Sequence, residues 1–255
     1  MNLSVINYEK YFANFIFAFF FSSGVLWANE ITPHDLLKAI DNNLWSETKY
    51  VEGRLIIDNG RRVRELKVNT WMEGIDKSYS YYLFPPREKG TQMLKLFSKL
   101  WLYTPRTDRK ILIAGHLLRQ SMMGSDLSYE DMMEDRKLSV SYAAKIEKKE
   151  EIDGVDSLVL FLTANDKATT YQTRRAWTDP ERKIVYREKR YAKSGQLLKS
   201  IEYLNYRRIR NRLFPGEIVF RDMLKKGTQT TYIFEKINFD VKISAKYFSQ
   251  SILKR

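Results

Sequence analysis

Hydrophobic residues first recur at helical spacing shortly after residue 30. An apolar stripe along one side predicts an amphipathic helix that lies on an apolar surface. The stripe consists of Leu36, Leu37, Ile40 and Leu44. Thr32 is expected to cap the helix, with Pro33 in its first turn and Asp35 at the reciprocal capping position. The helix should end near Asn42-Asn43.

From Tyr50 onward the hydrophobic period changes to two, which is typical of strands with one packed face and one wet face. Asn59-Gly60 is a strong hairpin signal, and further Gly and Pro turns follow at even spacing. After a first strand at 50–57, strands are predicted at 61–71, 77–84, 90–97, 99–103, 109–113, 138–148, 155–163, 170–178, 183–192, 197–210, 217–224 and 228–240. The pattern predicts an antiparallel meander in one α+β domain, residues 29–255.

The meander is interrupted after Gly115 by a long irregular link. Asp126 or Ser128 is expected to cap a short helix that continues through Asp135. Four of the chain's eight methionines lie in this region, at 122, 123, 132 and 133. Flexible thioether side chains adapt to irregular apolar surfaces. Two interpretations remain open: these methionines contact an apolar ligand, or they fill gaps in the core.

The beginning of the chain is typical of an export signal. Lys10 precedes an almost wholly apolar stretch from Phe12 to Trp27, shorter than the roughly twenty residues that span a bilayer. We expect a signal peptide over 1–28, cleaved near Ala28, with an uncleaved anchor as the alternative. The chain has no cysteine, which excludes lipid attachment at cysteine and disulfide bonds.

The chain carries a net charge of +13 from 44 basic and 31 acidic residues. The basic residues alternate along strands instead of lining one helix, and export argues against a nucleic-acid partner. They either form solvated outer strand faces or attract anionic lipid headgroups or an acidic partner.

No sequence motif points to catalysis. The chain has two histidines, His34 and His116, and it lacks the hydrolase, zinc-protease, phosphate-loop and dinucleotide motifs. We expect no catalytic residue, no cofactor and no metal. An acidic cluster is expected to be solvated near a helix N-terminus. It comprises Asp126, Glu130, Asp131, Glu134 and Asp135.

Arg106 and Arg109 flank Asp108 in a turn between two predicted strands. Local ion pairing could hold this turn. Alternatively, the two arginines face a headgroup or a carboxylate at the mouth of a cavity, as headgroup or lid contacts.

The stretch WLYTPRTDRKILIAGHLLRQSMMGSDLSYEDM resembles the signature of exported bacterial proteins of the outer-membrane lipoprotein-sorting family, relatives of LolA, LolB and RseB. The similarity continues through EYLNYRRIRNRLFPGEIVFRDMLKKGTQTTY to FSQSIL and covers nearly the whole chain after the signal. The resemblance implies a strongly curved antiparallel sheet, an unclosed barrel, with helices covering its concave face.

The resemblance also implies a function without catalysis. The expected protein is a periplasmic carrier that holds lipoprotein acyl chains or other lipids in a hydrophobic cavity and passes them to an envelope acceptor. Its partners would be that cargo, an inner-membrane transporter of the RND type or an outer-membrane acceptor, with transient membrane contact. The alternative is a regulatory sensor of hydrophobic signals, like RseB. The residues expected to line the cavity are Leu94, Leu96, Trp101, Tyr103, Ile111, Ile113, Met122, Met123, Met132 and Met133.

Overall fold

Thirteen antiparallel strands form one continuous sheet within residues 31–134, 136–152 and 154–253, which are the residues that this computed structural model describes. The expected signal peptide over 1–28 and its cleavage near Ala28 lie outside the described residues. In chain order the strands are β1 (Thr48–Asp58), β2 (Val63–Glu73), β3 (Lys77–Phe84), β4 (Gln92–Leu96), β5 (Lys99–Thr104), β6 (Arg109–Ile113), β7 (Tyr142–Ile152), β8 (Val155–Ala164), β9 (Thr173–Asp179), β10 (Ile184–Tyr191), β11 (Leu197–Leu204), β12 (Arg207–Ile209), β13 (Arg212–Phe214), β14 (Glu217–Asp222) and β15 (Gln229–Phe239).

The sheet order is β6-β5-β4-β3-β2-β1-β15-β14-β11-β10-β9-β8-β7, and β12 and β13 form a separate hairpin. Strand β15 therefore joins the first six strands to the last group by pairing with β1, for example Leu55 with Tyr232. The two ends of this order, β6 and β7, do not pair with each other among the described strands. The predicted α+β class and the curved, unclosed antiparallel sheet are confirmed.

Helix α1 (Pro33–Leu44) begins as its sequence predicts. The Thr32 side chain accepts a hydrogen bond from the main-chain nitrogen of Asp35, and Pro33 occupies the first turn. The stripe residues Leu36, Leu37 and Ile40 are buried against a cluster that includes Leu160 and Val185. The amphipathic helix thus covers the inner face of β7–β10.

Two predicted strands differ from the structure. Residues 138–141 form a short helix, α3 (Leu138–Ser141), because the buried Asp41 carboxylate accepts hydrogen bonds from the main-chain nitrogens of Leu138 and Ser139. The predicted strand 197–210 is divided into β11 and β12, since Asn205 adopts a left-handed conformation with φ of 55°.

The segment from Gly115 to Met133, here called the methionine segment, covers the inner face of β1–β5. It contains two short 3₁₀ turns (Gly115–Arg119 and Met122–Gly124) and helix α2 (Tyr129–Met133). Ser128 caps α2 in a reciprocal arrangement with Asp131, one of the two capping options predicted. Met122, Leu127 and Tyr129 are buried against strand residues such as Leu55 and Val68.

The outer face of β2–β5 is covered by the end of the chain. The 3₁₀ turns Ala245–Phe248 and Gln250–Leu253 lie against it. The Tyr247 ring stacks on Trp71 at 4.4 Å between centroids, and Leu253 is buried beside Leu94. Ile31–Arg255 form one compact unit. Among the described residues, no helix has both the length and the apolarity that crossing a membrane requires.

Candidate functional site

An apolar cavity of about 270 Å³ lies between the inner sheet face and the segments that cover it. Its wall combines residues of the central strands with α1 and the methionine segment. Most of these side chains are aliphatic or aromatic, including Val51, Leu55, Val68, Met122, Phe220 and Tyr232. A cavity lined mainly by apolar side chains is the usual form of a site for a hydrophobic ligand.

A polar cleft of about 950 Å³ adjoins this cavity. The cleft lies between the end of α1, the β2–β3 turn, the α2–α3 link and the β8–β9 loop, and acidic, basic and amide side chains line it. Cavity and cleft share four wall residues, Trp45, Glu134, Arg136 and Arg174. The cavity therefore has a polar mouth and an apolar interior.

A buried ion-pair network forms one wall of the cavity. Glu188 is 1% exposed, and its carboxylate accepts hydrogen bonds from Arg174 at 2.7 Å, from Arg190 at 2.9 Å and from the Tyr203 hydroxyl at 3.0 Å. Burial alone would raise the pKa of Glu188, but the charges of Arg190 and Arg174 outweigh it and lower the pKa to about 2. Glu188 is therefore ionised at neutral pH.

The network continues to the methionine segment through Asp131. Its carboxylate accepts a 2.6 Å hydrogen bond from the Tyr171 hydroxyl, and Arg190 Nη1 lies 3.6 Å away. The same carboxylate accepts hydrogen bonds from the main chain and the hydroxyl of Ser128, which begins α2. Thus α2 is fixed to the cavity wall by charge-assisted hydrogen bonds.

Asp126 anchors the loop before α2. It is 2% exposed, and its carboxylate accepts hydrogen bonds from the hydroxyls of Thr228 at 2.5 Å and Thr230 at 2.7 Å. Lys199 Nζ lies 2.5 Å from its main-chain oxygen. The prediction of a solvated acidic cluster is therefore wrong for Asp126 and Asp131, since both are bonded inside the fold. Asp135 lies outside the described residues.

Four of the predicted cavity residues lie on the outer face of the sheet. Leu94, Leu96, Trp101 and Tyr103 belong to the cluster that packs against Leu253 and the end of the chain. Their neighbours in sequence point inward: Met93 and Leu100 are buried in the inner cluster. Strand alternation separates the two sets, so the structure does not bring these four residues to the cavity.

The other six predicted residues lie on the inner side. Met122 and Met132 line the cavity, whereas Met123 and Met133 pack against the surrounding cluster. Ile113 is buried in the same cluster, and Ile111 is 43% exposed at the end of the sheet. Their role in ligand contact remains a prediction, best supported for Met122 and Met132.

The remaining sequence candidates lie away from the cavity. Arg106 is exposed in the β5–β6 turn, and Arg109 is exposed at the start of β6. The Asp108 carboxylate in this turn accepts a 2.8 Å hydrogen bond from the Tyr103 hydroxyl. His34 and His116 are exposed. Within the described part of the chain, no group of three His, Asp or Glu residues is placed to hold a metal ion.

Sequence reasoning missed Arg174, Glu188 and Arg190. In β9 the alternation TRRAWTD places Arg174, Ala176 and Thr178 on the buried side, so a charged residue occupies an inward position. This alternation could have indicated the network. A charged side chain at an inward-facing position is energetically costly unless an opposite charge pairs with it. The partner strand β10 supplies Glu188, opposite Ala176.

An unclosed antiparallel sheet whose inner face is covered by helical segments around an apolar cavity defines a protein of the LolA-like fold class. Three solved structures share this fold. A DUF1329 family protein from Desulfovibrio piger has a TM-score of 0.78 at 24% identity, covering 88% of this chain and 100% of that chain. A LolA superfamily protein from Nitrosomonas europaea has a TM-score of 0.74 at 22% identity, covering 87% of this chain and 99% of that chain.

The third is a domain named for outer membrane lipoprotein sorting, from Vibrio parahaemolyticus, with a TM-score of 0.73 at 20% identity, covering 86% of this chain and 98% of that chain. A family model described as an uncharacterized protein matches residues 74–255. Because this model covers most of the chain, the chain belongs to the family that the model describes, and it shares its fold with the three structures. No curated protein matches the sequence.

Proposed function

We propose that this protein is a non-catalytic carrier that holds the acyl chain of a lipid or lipoprotein in its inner cavity. The observation that carries the proposal is the joined pair of compartments, an apolar cavity of about 270 Å³ opening into a polar cleft. An acyl chain leaves water when it enters such a cavity, and each Å² of apolar surface removed from water contributes about 25 cal/mol. Retention and release then need no chemical step.

The cavity is closed on one side by a well-anchored cover. Arg64, Lys225 and Lys95 each donate hydrogen bonds to main-chain oxygens of the methionine segment. Lys199 and the threonines that hold Asp126 add further bonds. Because these contacts fix the segment, we infer that cargo enters through the polar cleft, past Trp45, and not beneath the methionines.

The expected export signal and the LolA-like fold support a periplasmic location for the proposed carrier. There it would receive cargo from an inner-membrane component, such as a transporter of the RND type, and pass it to an outer-membrane acceptor. Transfer requires only that the acceptor bind the cargo more tightly than the carrier does.

The carrier function is tested with delipidated protein and a fluorescent fatty acyl probe. The wild-type protein is expected to bind the probe saturably. Val68→Phe should weaken binding by more than about tenfold, because a larger side chain fills cavity volume that the chain requires. The matched control is Val63→Phe in the same strand, since Val63 is 64% exposed and should leave binding unchanged.

Probe uptake that is absent in the wild type, or equal in the two variants, would contradict a carrier cavity at this position. Mass spectrometry of lipids that copurify with the protein gives an independent readout. Recovery of a membrane-bound regulator, and no lipid, would favour the sensor alternative.

A further inference from the structure

Two polar atoms of opposite character lack partners where the cavity meets the cleft. Among the described residues, Arg174 Nε, a donor, and Glu134 Oε2, an acceptor, are buried and have no hydrogen-bond partner. Arg174 is 4% exposed, and both residues line the cavity as well as the cleft. An unsatisfied buried polar atom destabilises the fold, so a ligand that supplies the missing partner gains affinity.

The two residues are connected through the β8–β9 loop. The other oxygen of Glu134 accepts a 2.6 Å hydrogen bond from the main-chain nitrogen of Thr170. The guanidinium of Arg174 lies 5.4 Å from the ring of Tyr171, the next residue, and 4.5 Å from the ring of Tyr142. A donor and an acceptor are thus held on neighbouring parts of the same wall.

The charges of the cleft are balanced in sign. Its basic side chains are Arg136, Lys137, Arg174 and Arg212, and its acidic side chains are Glu47, Asp76, Glu134, Asp166 and Asp240. The carboxylate of Glu134 would repel a purely anionic head, and the guanidinium of Arg174 would repel a purely cationic head. A head that carries both charges matches both unpartnered atoms.

The size of the cavity bears on the tail of the ligand. The apolar cavity of about 270 Å³ is much smaller than the adjoining cleft of about 950 Å³, and we take a single acyl chain as its occupant.

We propose that the preferred ligand is a single-chain zwitterionic amphiphile, with its phosphate at Arg174 and its ammonium donating to Glu134. This inference rests on the proposed carrier function and names the chemistry of its cargo. The tail lies in the apolar cavity and the head in the polar cleft.

The test compares four amphiphiles that share a lauroyl chain. They are lysophosphatidylethanolamine, lysophosphatidylcholine, lauric acid and monolaurin, measured by calorimetry below their aggregation concentrations. The ethanolamine compound should bind about tenfold more tightly than the choline compound, whose quaternary nitrogen has no N–H to donate to Glu134. Both phospholipids should bind more tightly than lauric acid.

Glu134→Gln keeps the oxygen that bonds Thr170 and removes the negative charge. It should abolish the preference for ethanolamine over choline. Arg174→Lys should weaken both phospholipids relative to monolaurin. The matched control, Asp76→Asn, alters an exposed acid of the same cleft and should retain the wild-type preference.

Equal affinity for all four amphiphiles, or an ethanolamine preference that survives Glu134→Gln, would overturn the headgroup assignment while monolaurin binding still supports the carrier. If none of the four amphiphiles binds, monolaurin included, the carrier function itself is overturned.

Discussion

Arg64 donates a hydrogen bond from Nη2 to the main-chain oxygen of Met123 at a distance of 2.6 Å. This contact ties strand β2 to the methionine segment through its backbone. Met123 and Gly124 both have positive φ values, 52° and 75°. The path of the segment is thus set by a side chain far away in sequence and by a local left-handed turn.

Gly124→Ala should lower the free energy of unfolding by about 1–2 kcal/mol from its left-handed φ alone. An added Cβ would also lie 2.9 Å from Arg64 Nη2, which gives a further loss. Gly195→Ala is the matched control, because Gly195 has a φ of 84° and nothing within 4 Å of an added Cβ. Denaturant unfolding should show a larger loss of unfolding free energy for Gly124→Ala than for Gly195→Ala. In an Arg64→Gln background the two losses should become equal. Equal losses in the two variants would contradict the close contact.

Asp126→Ala should destabilise the protein by roughly 2–4 kcal/mol, because it leaves the buried hydroxyl of Thr230 without its carboxylate partner. Chemical denaturation measures the change. Asp156→Ala serves as the control, since Asp156 is exposed and should cost less than about 0.5 kcal/mol. Faster amide hydrogen exchange in the methionine segment of Asp126→Ala would locate the effect, whereas unchanged exchange there would count against the anchoring role.

Glu188→Gln should destabilise the protein by about 3–5 kcal/mol at neutral pH, because it leaves Arg174 and Arg190 buried without their shared carboxylate. The pKa of Glu188 falls from 4.5 to about 2 on folding, so its ionised form stabilises the fold above pH 4.5. That contribution is lost as the pH decreases toward about 2. The difference in unfolding free energy between wild type and Glu188→Gln should therefore narrow over this interval. A difference that is constant with pH would show that Glu188 is not the group responsible.

Gly53→Ala should shrink the cavity. Gly53 lies on β1, and an added Cβ would clash with Oη and Cζ of Tyr232. The ring must therefore move, and Tyr232 lines the cavity. We expect a stability loss of about 1–3 kcal/mol and weaker binding of the fluorescent acyl probe. Adding Tyr232→Leu to the Gly53→Ala variant should restore part of the stability and part of the probe binding, which a double-mutant cycle measures. Strictly additive effects of the two substitutions would refute the steric explanation.

Local signals were sufficient for most elements of the fold. The α1 cap at Thr32 and the Asn59-Gly60 hairpin depend on residues within a few positions, so the sequence shows them directly. Helix α3 depends on Asp41, which accepts hydrogen bonds from Leu138 and Ser139 almost a hundred positions away. No local pattern reveals such a contact.

The candidate site was harder to predict for a related reason. Alternation in β4 and β5 separates Leu94 and Trp101 from Met93 and Leu100, but both sets are apolar. Which set faces the cavity is decided by what covers each face, and Tyr247 and Leu253 from the end of the chain cover the first. Residues of the second set, such as Met93, reach the cavity instead.

An open sheet leaves strands whose backbone edges invite pairing with other chains. In the described strand order these are β6 and β7, and each has a single neighbour. Six of the eleven residues of β7 are charged, in the run YAAKIEKKEEI, and β6 begins with Arg109-Lys110. Charged side chains on an edge oppose the addition of a further strand. Unprotected edges of an open sheet would otherwise lead to fibrous self-assembly, and the charges on β7 act against that outcome.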